Sequence, residues 1–539
     1  MNFFSLHQGT GTPVVGNDAT SATACPYDDV ITCDATYKYR SFDGSCNNLN
    51  NPFFGRKDTP FERLLTPEYE DGIEDIRVTP HKSSDTLIGP RQLSTEYHQA
   101  SAAANLQLPV EAHCNVVIMT GTLDTTTVGC APIPVPVTDP FFGSFGRLCL
   151  NFARALPDTD ILCDDTYRQQ RNRVTHFLDA STVYGSDKAT ADSLRTFSDG
   201  DGRVNQNPML VSMHTIFLRE HNRVARELKS LNPSWTTKGL YQESRRIVIA
   251  EYQHIVYGEY LSALLSIPVA ALLGLLPKFF GYYNNYDPEV NPAVRNEFVA
   301  AAYRSGHSTI DSTISPGELL KNHFFEPSTI YDASKGIDFL VSNLVQNQQQ
   351  TMDRLKTDQV TNHLFQFSDG DGGDLAATNI QRGRDHGLPS YNDMRELCGL
   401  PRATSFNAGP GGLEHHTADS ANRLNSLYTD PDDIEAWTGM SSEMRITGGV
   451  FGPTAACITA LQFDYLKRGD RFYYENDLPG TKFTTAQLKQ LRRASLARLI
   501  CDNTGINSIQ KFVFWDTFPG RVPGGWNDLV PVKECLEVN

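Results

Sequence analysis

The 539-residue chain carries 14 histidines and 11 cysteines, the side chains that most readily move protons, bind metals or pair as disulfides. His214 and His221 lie seven residues apart on one helix face and could pass for metal ligands. Ser198-Asp199-Gly200-Asp201-Gly202 recurs as Ser368-Asp369-Gly370-Asp371-Gly372. A calcium loop of the EF-hand kind would need a third acidic ligand before its glycine and a glutamate at position twelve. Leu210 and Ile380 stand there, so both copies read as polar turns. Arg468-Gly469-Asp470 spells an adhesion tripeptide but runs straight into Phe472-Tyr473-Tyr474, and a structural use is expected. HExxH, GxSxG and a phosphate-cradling Gly-rich loop are absent, and no Cys/His set has zinc spacing.

The cysteines therefore read as disulfides, with at least one thiol left over from the odd count. An oxidising compartment follows, although no Asn-x-Ser/Thr sequon supports export. Met1 to Thr10 shows no basic region followed by an apolar stretch, so no signal peptide is expected. Lys+Arg number 47 against 63 Asp+Glu, a formal charge of −16, and this acidity argues against nucleic-acid or anionic-membrane partners. The longest uncharged run, Tyr260 to Pro277, contains Pro268 and reads as two buried helical pieces rather than a membrane span.

The elements that must position these side chains are mostly helical. Residues 1–30 are rich in Gly, Thr, Ala and Asp and read as an extension ahead of a domain covering 31–539. Prolines 60, 67, 80 and 90 make the stretch from Tyr37 to Glu111 loop-heavy. The run Ala131 to Pro140 must be extended or turn structure. From Met209, apolar Met213, Phe217, Val224 and Leu228 alternate with charged residues in a helical period that stops before Asn232-Pro233. Leu240–Leu261, Val299–Ser305, Lys335–Val345 and Thr485–Ile500 also read as helices, strand signals are few and short, and no internal repeat is visible.

Seven longer segments carry more information. They are MHTIFLREHN from Met213, THFLDASTVYGS from Thr175, RSGHSTI from Arg304, NIQRGRDHGLP from Asn379 and GDRFYYEN from Gly469. Gly452-Pro453-Thr454 and Cys501-Asp502-Asn503-Thr504-Gly505 complete the set. In this order, from about Tyr37 to Cys535, the chain closely resembles the animal haem peroxidase family, the group holding myeloperoxidase, peroxidasin and peroxinectin. That resemblance implies one large, mostly α domain with few short strands around a buried haem b, where length alone would suggest about three or four units.

By the family pattern His307 is the proximal iron ligand, Asn379 bonds its other ring nitrogen, and Arg304 and Arg382 face the haem propionates. Alone, His307 would read as a satisfied core histidine; its motif company makes it a ligand. Arg203, eleven residues before His214, stands where the family has the distal arginine that steadies negative charge during O–O cleavage. The distal base is different. Against the family's Gly-Gln-x-Leu-Asp-His-Asp the chain offers Gly121-Thr122-Leu123-Asp124-Thr125-Thr126, so Thr125 falls at the histidine. A threonine hydroxyl accepts no proton near neutral pH, and losing a positioned acid/base costs about 10²–10⁴ in rate. His113 and His98 are the nearby imidazoles, His113 well upstream of the catalytic slot.

Two further departures accompany it. Asp124 matches one haem-ester position of some members, but Gln206 occupies the other, leaving at most one such link. The family's calcium loop matches Thr175, Phe177 (by its carbonyl), Asp179 and Ser181, but Thr126 replaces the remaining carboxylate, so calcium binding is expected to be weak or absent. The resemblance pairs Cys398 with Cys457 and Cys501 with Cys535; Cys33–Cys46 and Cys130–Cys149 are plausible early pairs, and Cys25, Cys114 and Cys163 stay unsorted. The expectation is a secreted haem protein that meets hydrogen peroxide or another small ligand, its peroxidase turnover impaired. The alternatives are an inert haem or small-ligand binder and a structural extracellular scaffold. The sequence is silent on oligomeric state.

Overall fold

A computed structural model describes residues 31–76, 90–98, 117–118, 121–122, 129, 131–158, 167–194, 201, 203–332, 336–506 and 508–515. Among these the chain is mostly helical, as expected, and its strands form four short antiparallel pairs. They join Thr59–Pro60 to Arg171–Asn172, Val117–Ile118 to Gly121–Thr122, Ile133–Pro134 to Cys149–Leu150, and Thr313–Ser315 to Glu318–Leu319. The proline-rich stretch after Ala131 thus becomes edge strand and turn, where the missing amide protons cost nothing.

Eight helices matter for the site. They are α1 (Pro90–Leu93), α2 (Ser181–Tyr184), α3 (Pro208–Leu231), α4 (Thr237–Ile255), α5 (Leu375–Asp385), α6 (Ala436–Met440), α7 (Pro453–Arg468) and α8 (Leu496–Asn503). Helix α3 starts where local chemistry says it should: Asn207 caps Met209 N, and Pro208 occupies the first turn. Its apolar stripe, including Met213, Ile216, Phe217 and Val224, packs on Val248, Ile249 and Tyr252 of α4 in a core running from Phe61 to Val513. Burial of such side chains contributes about 1.5–3 kcal/mol each before conformational entropy is charged against it.

Three helical expectations need correction. Val299–Ser305 is not one helix: an α-helix Asn296–Ala300 ends at Ala301, and a 3₁₀ helix runs Ala302–Thr309. Thr485–Ile500 is not one helix: it ends at Leu491 and restarts as α8, with Ser495 capping Arg498 N. The apolar spacing carries across the break, but a serine satisfying the orphan amides of a new first turn wins locally. The uncharged run does form two helical pieces, Leu261–Leu265 and Ile267–Leu272, divided at Ser266 with φ 70°. The first is buried, whereas the second exposes Leu272 at 85%. Among the described residues no helix is long and apolar enough to cross a membrane.

Of the dismissed motifs, the second Ser-Asp-Gly-Asp-Gly copy forms a turn and the tripeptide packs inward, while Ser198, Asp199, Gly200 and Gly202 of the first copy lie outside the described residues. The Asp371 carboxylate accepts from the amides of Phe367 and Ser368, closing its own loop. Asp470 of the adhesion-like tripeptide is buried and bonded to Asn47 and Gln253, and it pairs with Arg40. It is unavailable to a receptor. Disulfides join Cys33 to Cys46 and Cys398 to Cys457, as expected. Cys149 and Cys501 are also disulfide-bonded; Cys25, Cys114, Cys130, Cys163 and Cys535 lie outside the described residues.

Candidate functional site

The segment Ala302–Thr309 is a 3₁₀ helix and carries both Arg304 and His307, which are 2% and 4% exposed. Helix α5 supplies their partner. Asp374 caps Ala377 N at its start, fixing the rotation that turns Asn379 inward. Asn379 Nδ2 lies 2.7 Å from His307 Nδ1, and Arg304 Nη1 donates to Asn379 Oδ1 at 3.0 Å. Residues 72 and 75 apart in sequence are thereby joined through one amide.

Burial holds the His307 imidazole well below its ordinary pKa, helped by the nearby charges of Arg304 and Lys356, so the ring is neutral. A neutral imidazole is what a metal ligand requires. As placed, the Asn379 amide N–H donates to Nδ1, which puts the ring proton on Nε2. Iron at Nε2 needs that proton on Nδ1, with the amide turned end for end so that its oxygen accepts. Turning it takes away the side-chain acceptor of Arg304. The guanidinium also donates to Val299 O at 2.9 Å, and among the described residues no carboxylate pairs with it. Burial, with Arg382 and Arg203 nearby, pulls its pKa well down. A buried cation in that position asks for an anion, and a haem propionate supplies one. The residues fit the group.

Arg382 is brought to the same helix but is already compensated. It donates to Asp385 Oδ2 at 2.8 Å and to Ala153 O at 2.9 Å, and lies over the Phe152 ring. Asp385 also takes Arg154 Nε at 2.7 Å. The Nε of Arg382 alone is buried with no partner among the described residues, leaving one donor for a propionate.

Arg203 precedes the short turn Val204–Gln206 that leads into α3. Asn207 and Met213 of this region share a cleft with Thr309, so the start of α3 meets the end of the histidine segment. Arg203 is held by Asp201, Nε to Oδ1 at 2.9 Å and Nη2 to Oδ2 at 2.5 Å. Sequence reading missed this carboxylate, although an Asp-x-Arg spacing was there to signal it. Gln206 ends the turn, its carbonyl accepting from Phe325 N at 3.4 Å. Leu123, Asp124, Thr125 and Thr126, the distal segment and first ester position, lie outside the described residues, as does His113.

The remaining imidazoles are occupied or sequestered. His98 packs on Trp437 of α6, its Nδ1 2.9 Å from Arg354 O and 3.1 Å from Lys356 Nζ. His221 Nδ1 lies 3.0 Å from the Tyr184 hydroxyl of α2. His214 is pushed down to about 4 by burial, its Nδ1 without a partner among the described residues. Among the described residues no group of three His, Cys, Asp or Glu could hold a metal.

The calcium-loop residues do gather. Thr175 Oγ1 lies 2.8 Å from Asp179 Oδ2 and 3.2 Å from Ser181 Oγ, while Ser181 N donates to Asp179 Oδ1 at 3.0 Å. Phe177 is buried beside them and packs against Gly44 and Gly55. These oxygens satisfy one another with one carboxylate among them, short of the six to eight that calcium takes.

Comparison with known proteins shows the family. The family model described as animal haem peroxidase matches residues 39–201 and 196–514. Chorion peroxidase of Drosophila melanogaster is 36% identical over 554 residues, covering 88% of this chain; the chain spans 66% of that protein's length. A protein named peroxidase from the same fly is 34% identical over 586 residues, covering 94% of this chain and 83% of the relative. The solved structure of peroxidase A from Dictyostelium discoideum superposes with a TM-score of 0.69 at 26% identity, covering 88% of this chain and 99% of that one. A family model matching most of the chain and relatives at 34% and 36% identity agree, and the chain belongs to the animal haem peroxidase family.

Proposed function

We propose that the protein binds haem b through His307 and reacts with hydrogen peroxide only slowly, because Thr125 stands where the family carries its distal base. The observation that carries the first half is the buried Arg304, which lacks a carboxylate partner among the described residues and shares Asn379 with a neutral His307. When bound, haem supplies the redox chemistry that hydrogen peroxide needs. The chain's own residues do the rest. Asn379 fixes the His307 tautomer, and Arg304 with the free Nε of Arg382 orients the propionate edge. Arg203 donates toward an anionic oxygen. Asp124 offers one carboxylate for an ester, and Gln206 offers none.

The Thr125 hydroxyl leaves the proton transfer of peroxide cleavage to water. The same threonine favours a second reading, a haem or small-ligand binder without turnover. Disulfides within the chain support an extracellular setting. Calcium, with Asp179 as the carboxylate of its loop, binds weakly or not at all.

An absorption spectrum of purified protein after haem addition, followed by hydrogen peroxide, tests the whole reading. A Soret band that changes slowly with peroxide, and about 10²–10⁴ faster in Thr125→His, is expected. Failure to take up haem overturns the cofactor assignment. Prompt reaction in the unaltered chain, unimproved by Thr125→His, overturns the loss of the base.

A further inference from the structure

Arg203 is not a free side chain reaching into solvent-sized space; a carboxylate two residues earlier sets its direction. Asp201 Oδ1 accepts from both the backbone N–H and the Nε–H of Arg203, each at 2.9 Å, and Oδ2 accepts from Nη2 at 2.5 Å. Both side chains are largely shielded, at 11% and 17% exposure. The turn is stiffened further by Val204 N bonding to Asp201 O at 3.1 Å and Gln206 N to Arg203 O at 3.0 Å, just before the Asn207 cap of α3. Fork-to-fork pairing of this kind constrains a guanidinium plane as well as its charge.

We infer that Asp201 is the positioning residue of Arg203, fixing the edge along which it can donate to an anion at the distal face. This rests on the reading of Arg203 as the distal cation. The surroundings make the role specific. Arg304 feels the charge of Arg203, and His214, which feels both members of the pair, is held neutral by burial. Asp201 therefore cancels one of two neighbouring guanidinium charges and sets the plane in which the Arg203 guanidinium lies. Orientation, not net charge, is what the pair offers an incoming anion.

This distinction gives opposite outcomes for one substitution. Asp201→Asn removes a negative charge, so an anion would bind tighter if net charge ruled and weaker if orientation ruled. Fluoride binding to the haem-loaded protein, read from the Soret band, measures it without turnover. Arg203→Ala is expected to weaken fluoride about ten- to hundredfold, the range of one charge-assisted hydrogen bond. Asp201→Asn is expected to weaken it about tenfold, Asp201→Glu to recover most of that, and Asp201→Asn to add nothing in the Arg203→Ala background. Unchanged or tighter fluoride binding in Asp201→Asn overturns the inference, as does an equal further loss in the double variant, which would mark a merely structural carboxylate. A chain that takes up no haem overturns the reading of the site, and this inference with it.

Discussion

At the scale of single residues, one amide decides the chemistry of the histidine. Asn379 cannot serve Arg304 through its oxygen and also accept from His307 Nδ1, because it has one oxygen facing one way. Were haem held at His307 Nε2, the amide would have to turn, and a propionate would replace its oxygen as the partner of Arg304. Asn379→Ala is expected to weaken haem binding about 10- to 100-fold in a titration followed at the Soret band. It should also lower the stability of the haem-free chain by about 1–3 kcal/mol in urea unfolding, since buried donors lose their acceptor. His307→Ala should abolish the band; a variant keeping the same spectrum would remove His307 as the ligand.

At the scale of elements, buried charges bolt helices together. Arg91 on α1 is fully buried and bonds Asp139 at 2.7 and 3.1 Å, Asp374 at 2.6 Å and Thr361 O at 2.8 Å. Asp374 is the cap of α5, so the same guanidinium holds in place the helix that presents Asn379 and Arg382. Arg91→Met should destabilise the fold by about 3–5 kcal/mol, because two carboxylates are left buried beside an apolar chain. Equilibrium unfolding measures this, and a loss below about 1 kcal/mol would show that the carboxylates find other partners. At the start of α8, Glu259 accepts from Leu496 N at 3.2 Å, and burial pushes its pKa up to about 8. The folded chain keeps that proton to about pH 8, while the unfolded chain releases it near 4.5. Folding thus binds a proton in between, and stability from this group falls as pH rises across that window, by about 1.4 kcal/mol for each pH unit. Glu259→Gln should flatten this part of the stability–pH curve; an unaltered slope would assign it to other groups.

At the scale of the whole molecule, the packed clusters of the described residues are tied by covalent and polar links between distant parts of the chain. Cys398 and Cys457 close a separation of 59 residues, linking the end of the segment after α5 to the first half of α7. Replacing both by serine should cost about 2–5 kcal/mol, with calorimetry as the check. An unchanged transition would place the stability of this half wholly in its packing.

Much of this was legible in the order of residues. The period of Met213, Phe217, Val224 and Leu228 located α3, and the Ser495 cap could have divided the last helix had it been weighed against the apolar spacing. Motif company singled out His307, Asn379 and Arg304, which the fold brings into contact. The helix reading holds because period and capping are local: the physics acts within a few residues. The sequence could not say that Arg304 is left without a carboxylate among the described residues, or that Asn379 serves both Arg304 and His307. Charge compensation and amide direction depend on which groups packing brings within about 3 Å, across separations of 72 residues or more, and at that range only the tertiary structure chooses the partner.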